Sequence, residues 1–170
     1  EDVPTLEEVV RQADLVMSIL VPAQASGLAR QVAEALKSTG ADTLFADCNA
    51  VSPKTTREIG DTISSAGGRF IDAGIVGGPP RDTESPRIYV SGPYAELMAE
   101  LDGKGIQVRP IGGDVGRASG LKMCYAAMTK GTSALQLAIL TAAERLGLTG
   151  ELCAEWEGSQ AEALKRMNAQ

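Results

Sequence analysis

One lysine stands near the start of a long helical pattern, directly after a turn rich in glycine. Residues 112–122 read Gly-Gly-Asp-Val-Gly-Arg-Ala-Ser-Gly-Leu-Lys, and Leu121 and Met123 flank the lysine. Burial among such neighbours makes an ammonium group easier to deprotonate. Lys122 is therefore a candidate acid/base group. A surface lysine whose stem covers apolar neighbours is the alternative interpretation.

A polar stripe extends from this lysine along the helical pattern. Lys122, Tyr125, Thr129, Ser133 and Gln136 recur every three or four residues, which places them within an arc of about 80° on a helix. The other positions are mostly Ala, Leu, Met and Ile. The stripe either borders a cleft between two domains or is the exposed side of a half-buried helix.

Three further segments follow predicted buried strands. They comprise residues 20–22, residues 47–53 and residues 72–80. Ligands of open α/β sheets bind beyond the carboxyl ends of the strands, so we expect these segments to share one rim. In the third segment, Gly77-Gly78 would let the backbone approach an anion closely, or would form a plain turn.

Two polar residues of these segments also have two interpretations each. Asn49 either binds a ribose or an amide, or caps local backbone as a turn residue. Asp72 is either catalytic or, as is commoner for an acid at a strand end, engaged in structural hydrogen bonds.

Alternating strand and helix patterns position these segments. Apolar runs predict strands near residues 14–21, 43–47, 69–73, 87–91 and 107–111. A helix is expected to start at residues 5–8, and further helices are expected at 24–37, 52–66 and 94–102. Two helices without strands follow, over 117–146 and from Glu151 to Met167. The fold class predicted is α/β, a partial Rossmann-like, doubly wound and largely parallel sheet, followed by an all-α domain. The predicted domains are 1–113 and 114–170.

Composition excludes several classes of function. The chain of 170 residues has a net charge of −6 and no basic run, which disfavours nucleic-acid binding. No apolar run reaches the length of a membrane span, so no membrane partner is expected. Histidine is absent, so acid/base chemistry must use other side chains. The three cysteines are widely spaced, which predicts buried thiols in a reducing, cytoplasmic protein without a metal site.

Taken together, the motifs resemble the β-hydroxyacid dehydrogenases, a superfamily that includes 3-hydroxyisobutyrate and 6-phosphogluconate dehydrogenases. Residues 72–78, Asp-Ala-Gly-Ile-Val-Gly-Gly, resemble the substrate motif D-A-P-V-S-G-G. Residues 116–122 resemble the motif G-x-G-x-x-x-K, and residues 47–53 resemble D-x-S-T-x-x-P. Residues 122–131 are most similar to a 6-phosphogluconate dehydrogenase-like branch with a distinctive C-terminal helical domain.

This resemblance implies a role for each matched position. Lys122 would be the catalytic acid/base residue. Substrate would contact Val76, Gly77, Gly78, Tyr125 and Ala126. The cofactor, NAD or NADP, would contact Leu20, Val21, Pro22, Asn49, Ala50 and Gly116.

Departures from the family pattern concern the substrate. Val76 stands where the family has a serine, which removes a hydroxyl that would bind a substrate carboxylate. Ala126 replaces an asparagine, and Ala118 replaces the second glycine of G-x-G. These departures count against the usual short hydroxy acids as substrates more than they count against the reaction class.

The dinucleotide fingerprint G-x-G-x-x-G does not occur in the sequence, so we expect residues 1–113 to lack the first βαβ unit of the domain. The resemblance predicts an NAD(P)-dependent oxidoreductase acting on a small hydroxy acid or polar alcohol, with the fragment itself inactive. The alternative is a dinucleotide-binding or interaction module that has lost catalysis. Imine reduction is a third option, which the retained lysine disfavours. The apolar faces of residues 121–146 predict a homodimer formed through the helical domain.

Overall fold

The computed structural model describes residues 3–81, 84–162 and 165. The chain divides into two compact units, Glu1–Cys124 and Tyr125–Gln170. The division falls inside the long helix, whereas the boundary predicted from sequence falls before it. The first turns of the helix, including Lys122, therefore belong to the sheet unit.

The first unit is an α/β domain, as the alternating pattern predicted. Its helices are α1 (Leu6–Gln12), α2 (Ala25–Thr39) and α3 (Pro53–Ser64), and its strands are β1 (Leu15–Ser18), β2 (Leu44–Asp47), β3 (Arg69–Val76), β4 (Arg87–Ser91) and β5 (Gln107–Pro110). A short 3₁₀ helix, Ala95–Leu101, joins β4 to β5. The long helix α4 (Arg117–Leu146) begins here and continues into the second unit.

The five strands form one sheet in the order β1-β2-β3-β4-β5. All neighbouring pairs are parallel except β3 and β4, which are antiparallel. The reversal follows from the connection, because the described residues of this connection, 77–81 and 84–86, form no helix that could return the chain for a parallel pairing. The carboxyl ends of β1 to β3 thus share a rim with the starts of β4 and β5.

Apolar side chains cover both faces of the sheet. One cluster, which includes Val32, Ile59 and Phe70, lies under the helices α1, α2 and α3. The other includes Ile71 and Met98 and packs beneath the 3₁₀ helix. Both faces of the sheet are therefore covered by packed side chains, which fix the positions of the strand ends.

The second unit is helical. It contains the rest of α4 and the helix α5 (Thr149–Ser159), whose predicted end at Met167 lies outside the described residues. Large apolar side chains of α4 are exposed, among them Leu135, Leu137 and Leu146. No helix among the described residues combines the length and apolar character needed to cross a membrane.

Candidate functional site

A buried carboxylate in the middle of β3, paired with the last residue of β2, holds the start of α4. Asp72 is 0 % exposed and accepts hydrogen bonds from the Gly116 backbone N–H at 2.8 Å and from the Ser119 hydroxyl at 2.6 Å. The Ser119 backbone N–H and the Ser91 hydroxyl also donate to it. Because the first N–H groups of a helix lack intrahelical partners, a carboxylate in this place satisfies them and complements the helix dipole.

We call Asp72, Ser91, Gly116 and Ser119 the α4 latch. Two more hydrogen bonds connect its residues to their surroundings. The Ala118 N–H donates to the Ser91 hydroxyl at 3.0 Å, and the hydroxyls of Ser119 and Thr56 lie 2.8 Å apart. These hydrogen bonds give Asp72 a structural role, which is one of the two interpretations offered from the sequence; the other was a catalytic role. The sequence analysis did not single out Ser91 or Ser119; a serine three residues after Gly116 was the available signal.

Close packing of α4 against β3 sets the position of Lys122. A Cβ added at Gly74 would lie 2.8 Å from the Ala118 carbonyl oxygen and 3.2 Å from the Lys122 Cβ. Only glycine at this point of β3 allows the helix to approach so closely. Lys122, which is half-buried, thus begins directly above the end of β3.

Asn49 ties the ends of β1 and β2 together. Its amide nitrogen donates to the Ser18 hydroxyl at 2.8 Å and to an oxygen of Asp47, and its carbonyl oxygen accepts from the Leu20 N–H at 2.7 Å. The side chain is 2 % exposed. These bonds use both amide hydrogens, so Asn49 shapes the rim on which Leu20 lies.

The electrostatics of the rim centre on Asp47 and Lys122. Burial raises the pKa of Asp47, while hydrogen bonds from Asn49 and the positive charge of Lys122 act in the opposite direction. Burial likewise raises the pKa of the neighbouring Cys48 thiol to about 12, which leaves it protonated and unreactive at neutral pH. Lys122 therefore lies within electrostatic range of the end of β2 as well as above β3.

The proposed cofactor positions surround the end of β1. A cavity of about 340 Å³ is lined by Leu20, Gln24, Gly27 and Leu28, among others. Val21, Pro22 and Ala50 are exposed on this part of the rim. This accessible wall combines apolar side chains with polar ones, as the two faces of a bound nucleotide require. Gly116 is buried, and its N–H is occupied by Asp72, so it contributes through the α4 latch.

The proposed substrate positions differ in exposure. Gly77 and Gly78 are exposed at the end of β3, whereas Val76 is 4 % exposed. Tyr125 is 48 % exposed and Ala126 is half-buried, and both belong to the helical unit. The structure thus places Gly77, Gly78 and Lys122 on the sheet unit. Among the described residues, no group of three or more His, Cys, Asp or Glu side chains is arranged to hold a metal ion.

The described rim and fold are those of a nucleotide-binding domain, and residues 1–101 match the NAD-binding domain of 6-phosphogluconate dehydrogenase. The chain belongs to this family. The α/β sheet followed by helices is the hydroxyacid dehydrogenase fold, as the resemblance predicted.

Individual relatives agree with this assignment. An uncharacterized 28.5 kDa protein in the 7S RNA 5′ region of Methanothermus fervidus is 31 % identical over 146 residues, which are 86 % of this chain and 54 % of the relative. The conserved protein MTH1747, described as structurally similar to 3-hydroxyacid dehydrogenases, superimposes with a TM-score of 0.72 at 32 % identity. That match covers 96 % of this chain and 62 % of MTH1747.

A more distant structure shares the fold alone. It is an imine reductase from Myxococcus stipitatus in complex with NADP⁺, with a TM-score of 0.71, 20 % identity, and coverage of 98 % of this chain and 59 % of the reductase. The chain spans about half the length of the curated relative it matches and less than two thirds of both solved structures.

Proposed function

We propose that the whole protein is an NAD(P)-dependent oxidoreductase that transfers hydride between the nicotinamide and a small hydroxy acid or polar alcohol. Lys122 is the acid/base residue in this proposal. The observation that carries it is the α4 latch, because Asp72 and Gly74 hold Lys122 over the rim of an NAD-binding domain.

Lys122 acts on the proton of the substrate hydroxyl. During oxidation, the neutral Lys122 amine takes this proton at Nζ while the C–H bond breaks and a carbonyl forms. The bound nicotinamide supplies the site that accepts the hydride. In the reverse direction the Lys122 ammonium returns the proton and stabilises the developing alkoxide charge.

The remaining positions would orient the two reactants. In this proposal the cofactor contacts the apolar side chains of Leu20, Val21, Pro22 and Ala50, and Asn49 holds the Leu20 backbone by accepting a hydrogen bond from its N–H. The exposed backbone of Gly77 and Gly78 approaches the substrate. Val76, Tyr125 and Ala126 occupy the other positions that contact substrate in the family that the sequence resembles.

An assay of the whole protein over a panel of hydroxy acids and imines, each with NAD and with NADP, tests the reaction class. We expect turnover of a hydroxy acid or alcohol, lost in Lys122→Ala. Val76 and Ala126 favour a second candidate, a dinucleotide-binding module without catalysis. Dinucleotide binding without turnover of any panel member would support that second candidate and contradict the first.

We also propose that the protein forms a homodimer through α4. A cavity of about 710 Å³ lies along one side of this helix between Ala134 and Leu146, and Leu137 on its wall is 68 % exposed. Apolar surface of this extent usually meets a partner. Light scattering on the whole protein should give twice the monomer mass, and Leu137→Glu should shift it to the monomer. A monomeric wild type would contradict the proposal.

A reducing, cytoplasmic location is proposed as well, because Cys48, Cys124 and Cys153 are all free thiols. Only Cys48 is buried, so the prediction of buried thiols is wrong for Cys124, which is exposed on α4. Mass measurement of protein alkylated directly on cell lysis should show three modified cysteines after unfolding. A disulfide-linked form isolated from cells would contradict this location.

A further inference from the structure

The carboxylate of Asp47, the last residue of β2, keeps one oxygen without a partner. Oδ1 accepts a hydrogen bond from the Asn49 amide, whereas Oδ2 is buried and has no hydrogen-bond partner among the residues that the structure describes. The whole residue is 2 % exposed. A buried carboxylate oxygen that is not satisfied costs free energy, so a donor or a positive charge is expected to face it. The function proposed above gives Asp47 no role.

Strand register places Asp47 on the face of the sheet that carries α4. Asp47 pairs with Asp72 in the parallel ladder, and Gly74 lies two residues further along β3. Paired residues of neighbouring strands share a face, and so do residues two apart on one strand. Asp72 binds the start of α4, and a Cβ added at Gly74 would lie 3.2 Å from the Lys122 Cβ. All three positions on the sheet therefore share the face on which α4 lies.

A lysine side chain that starts over Gly74 can reach the position of Asp47. The step back from Gly74 to Asp72 is about 7 Å along β3 and the step across to the next strand is about 5 Å, which together span about 8 Å. Lysine carries its charge on a flexible four-carbon stem, which covers most of this distance. The positive charge of Lys122 does act on both Asp47 and the adjacent Cys48.

The neighbouring carboxylate, Asp72, is already satisfied. Both of its oxygens accept hydrogen bonds within the α4 latch. Asp47, in contrast, keeps Oδ2 without a partner among the described residues. Of these two acids on the α4 face, Asp47 is therefore the one with an oxygen to offer as the counter-ion of Lys122.

Burial and two neighbouring charges act on the protonation of Asp47. Burial raises its pKa most, and the hydrogen bonds from Asn49 lower it. The negative charge of Asp72 raises this pKa, and the positive charge of Lys122 lowers it. Cys48 adds no charge at neutral pH, because the pKa of its thiol is raised to about 12. The coupling is reciprocal: since Lys122 favours the ionised form of Asp47, ionised Asp47 favours the charged form of Lys122.

We propose that Asp47 is a positioning residue whose carboxylate holds Lys122 in its ammonium form at the rim. The ammonium is the form that donates a proton, so the pair prepares Lys122 for the reduction of a carbonyl at neutral pH. This catalytic consequence rests on the proposed function, but the coupling of the two charges does not. Removal of the Asp47 charge then lets Lys122 lose its proton at a lower pH.

Trace labelling of the whole protein with acetic anhydride measures the pH at which each lysine loses its proton, because only the neutral amine reacts. Mass spectrometry reports the labelled fraction of Lys122 as the pH is varied. We expect the midpoint of this curve to fall by about one pH unit in Asp47→Asn. Lys130, which is exposed on the same helix, is an internal reference whose midpoint should not change.

The matched control is Ser18→Ala. Ser18 of β1 pairs with Asp47, is 2 % exposed and accepts a hydrogen bond from Asn49, but it carries no charge. The substitution disturbs the same hydrogen-bond network and removes no charge, so the Lys122 midpoint should stay close to that of wild type. Equal shifts in Asp47→Asn and Ser18→Ala, or no shift in Asp47→Asn, would overturn the charge pair.

A reciprocal measurement leaves Asp47 intact. Lys122→Met removes the positive charge and keeps most of the apolar stem. The Asp47 carboxyl, followed by its ¹³C NMR signal, should then titrate at a higher pH than in wild type. The same midpoint in both proteins would overturn the proposal even if Asp47→Asn failed to fold.

Kinetics of the whole protein separate this inference from the proposed function. The pH profile of kcat/KM for oxidation should shift to lower pH in Asp47→Asn by the same amount as the labelling curve. A labelling shift without Lys122-dependent turnover of any substrate would support the charge pair and contradict the proposed function. Lys122-dependent turnover with an unchanged pH profile in Asp47→Asn would contradict the positioning role and support the proposed function.

Discussion

At the scale of single residues, Asp72 is the carboxylate on which the geometry of the site depends. Both of its oxygens accept hydrogen bonds, one from the Ser119 hydroxyl and the other from Gly116 and Ser91. A buried charge is tolerated when it is satisfied in this way. The negative charge also lies at the positive end of the α4 dipole.

Asp72→Asn should therefore destabilise the protein, although it changes the side-chain volume very little. In either orientation the new amide nitrogen faces a donor, which leaves at least one buried N–H or O–H without an acceptor. We expect a loss of about 3 kcal/mol in the free energy of unfolding, measured by urea denaturation.

Ser91→Ala is the matched control for this substitution. It removes one donor to Asp72 and the acceptor for the Ala118 N–H, and leaves the other donors in place. We expect Ser91→Ala to lower the free energy of unfolding by about 1 to 2 kcal/mol, which is less than the loss in Asp72→Asn. A stability of Asp72→Asn equal to wild type would show that the latch does not hold α4.

Asp47 makes the stability depend on pH. Burial raises its pKa above the ordinary value of 3.8, so the folded state binds the proton more tightly than the unfolded state does. The stabilisation that protonated Asp47 gives the folded state is thus fully present below the pKa of the unfolded state. It is lost as the pH rises through the higher pKa of the folded state. Asp47→Asn should remove this decline.

Urea denaturation of both proteins from below pH 3.8, the ordinary pKa of the group, up to neutral pH measures the difference. The wild type should lose stability relative to Asp47→Asn as the pH rises. Parallel pH profiles would contradict the assignment of this titration to Asp47.

At the scale of elements, the contact between β3 and α4 positions Lys122. Gly74→Ala would bring a methyl group to 2.8 Å from the Ala118 carbonyl oxygen, which is backbone and cannot move aside as a side chain can. The helix must shift away from the strand. We expect a destabilisation of about 2 kcal/mol together with a loss of Lys122-dependent turnover.

Gly131→Ala is the control for this element. Gly131 lies inside α4, and a Cβ added there would meet no heavy atom within 4 Å. Alanine is a better helix former than glycine, so we expect Gly131→Ala to raise the free energy of unfolding by about 0.5 to 1 kcal/mol. Thermal or urea unfolding compares the two variants, and a neutral Gly74→Ala would contradict the close packing.

Sequence patterns predicted the elements better than their connections. The strands and α-helices of the described residues lie near the positions that periodicity predicted, because runs of apolar residues report local burial. The 3₁₀ helix Pro22–Gln24 was not predicted, and β3 extends to Val76 rather than ending at residue 73. The antiparallel pairing of β3 with β4 was missed, although the polar loop over residues 77–86 was a usable signal. The role of Asp72 depends on partners 19 to 47 residues away, and no local pattern reports contacts at that separation.

At the scale of the whole molecule, the positions that the resemblance assigns to catalysis and substrate are divided between an NAD-binding sheet unit and a helical unit. The sheet unit carries Lys122, Gly77 and Gly78, and the helical unit carries Tyr125 and Ala126. The motif order could be recognised from the sequence. The substrate could not, because Val76 and Ala126 depart from the family pattern at the positions that the resemblance assigns to substrate.

The central claim is that Lys122 performs the proton transfer. The decisive measurement is the turnover of the whole protein as wild type, Lys122→Ala and Lys130→Ala, with cofactor affinity measured in parallel. Lys130 belongs to the same helix, is exposed and lies two turns further on, so it controls for the loss of a positive charge.

We predict that Lys122→Ala lowers kcat by at least about a hundredfold with cofactor affinity nearly unchanged, while Lys130→Ala retains wild-type kcat. Turnover of Lys122→Ala equal to that of Lys130→Ala would contradict the account.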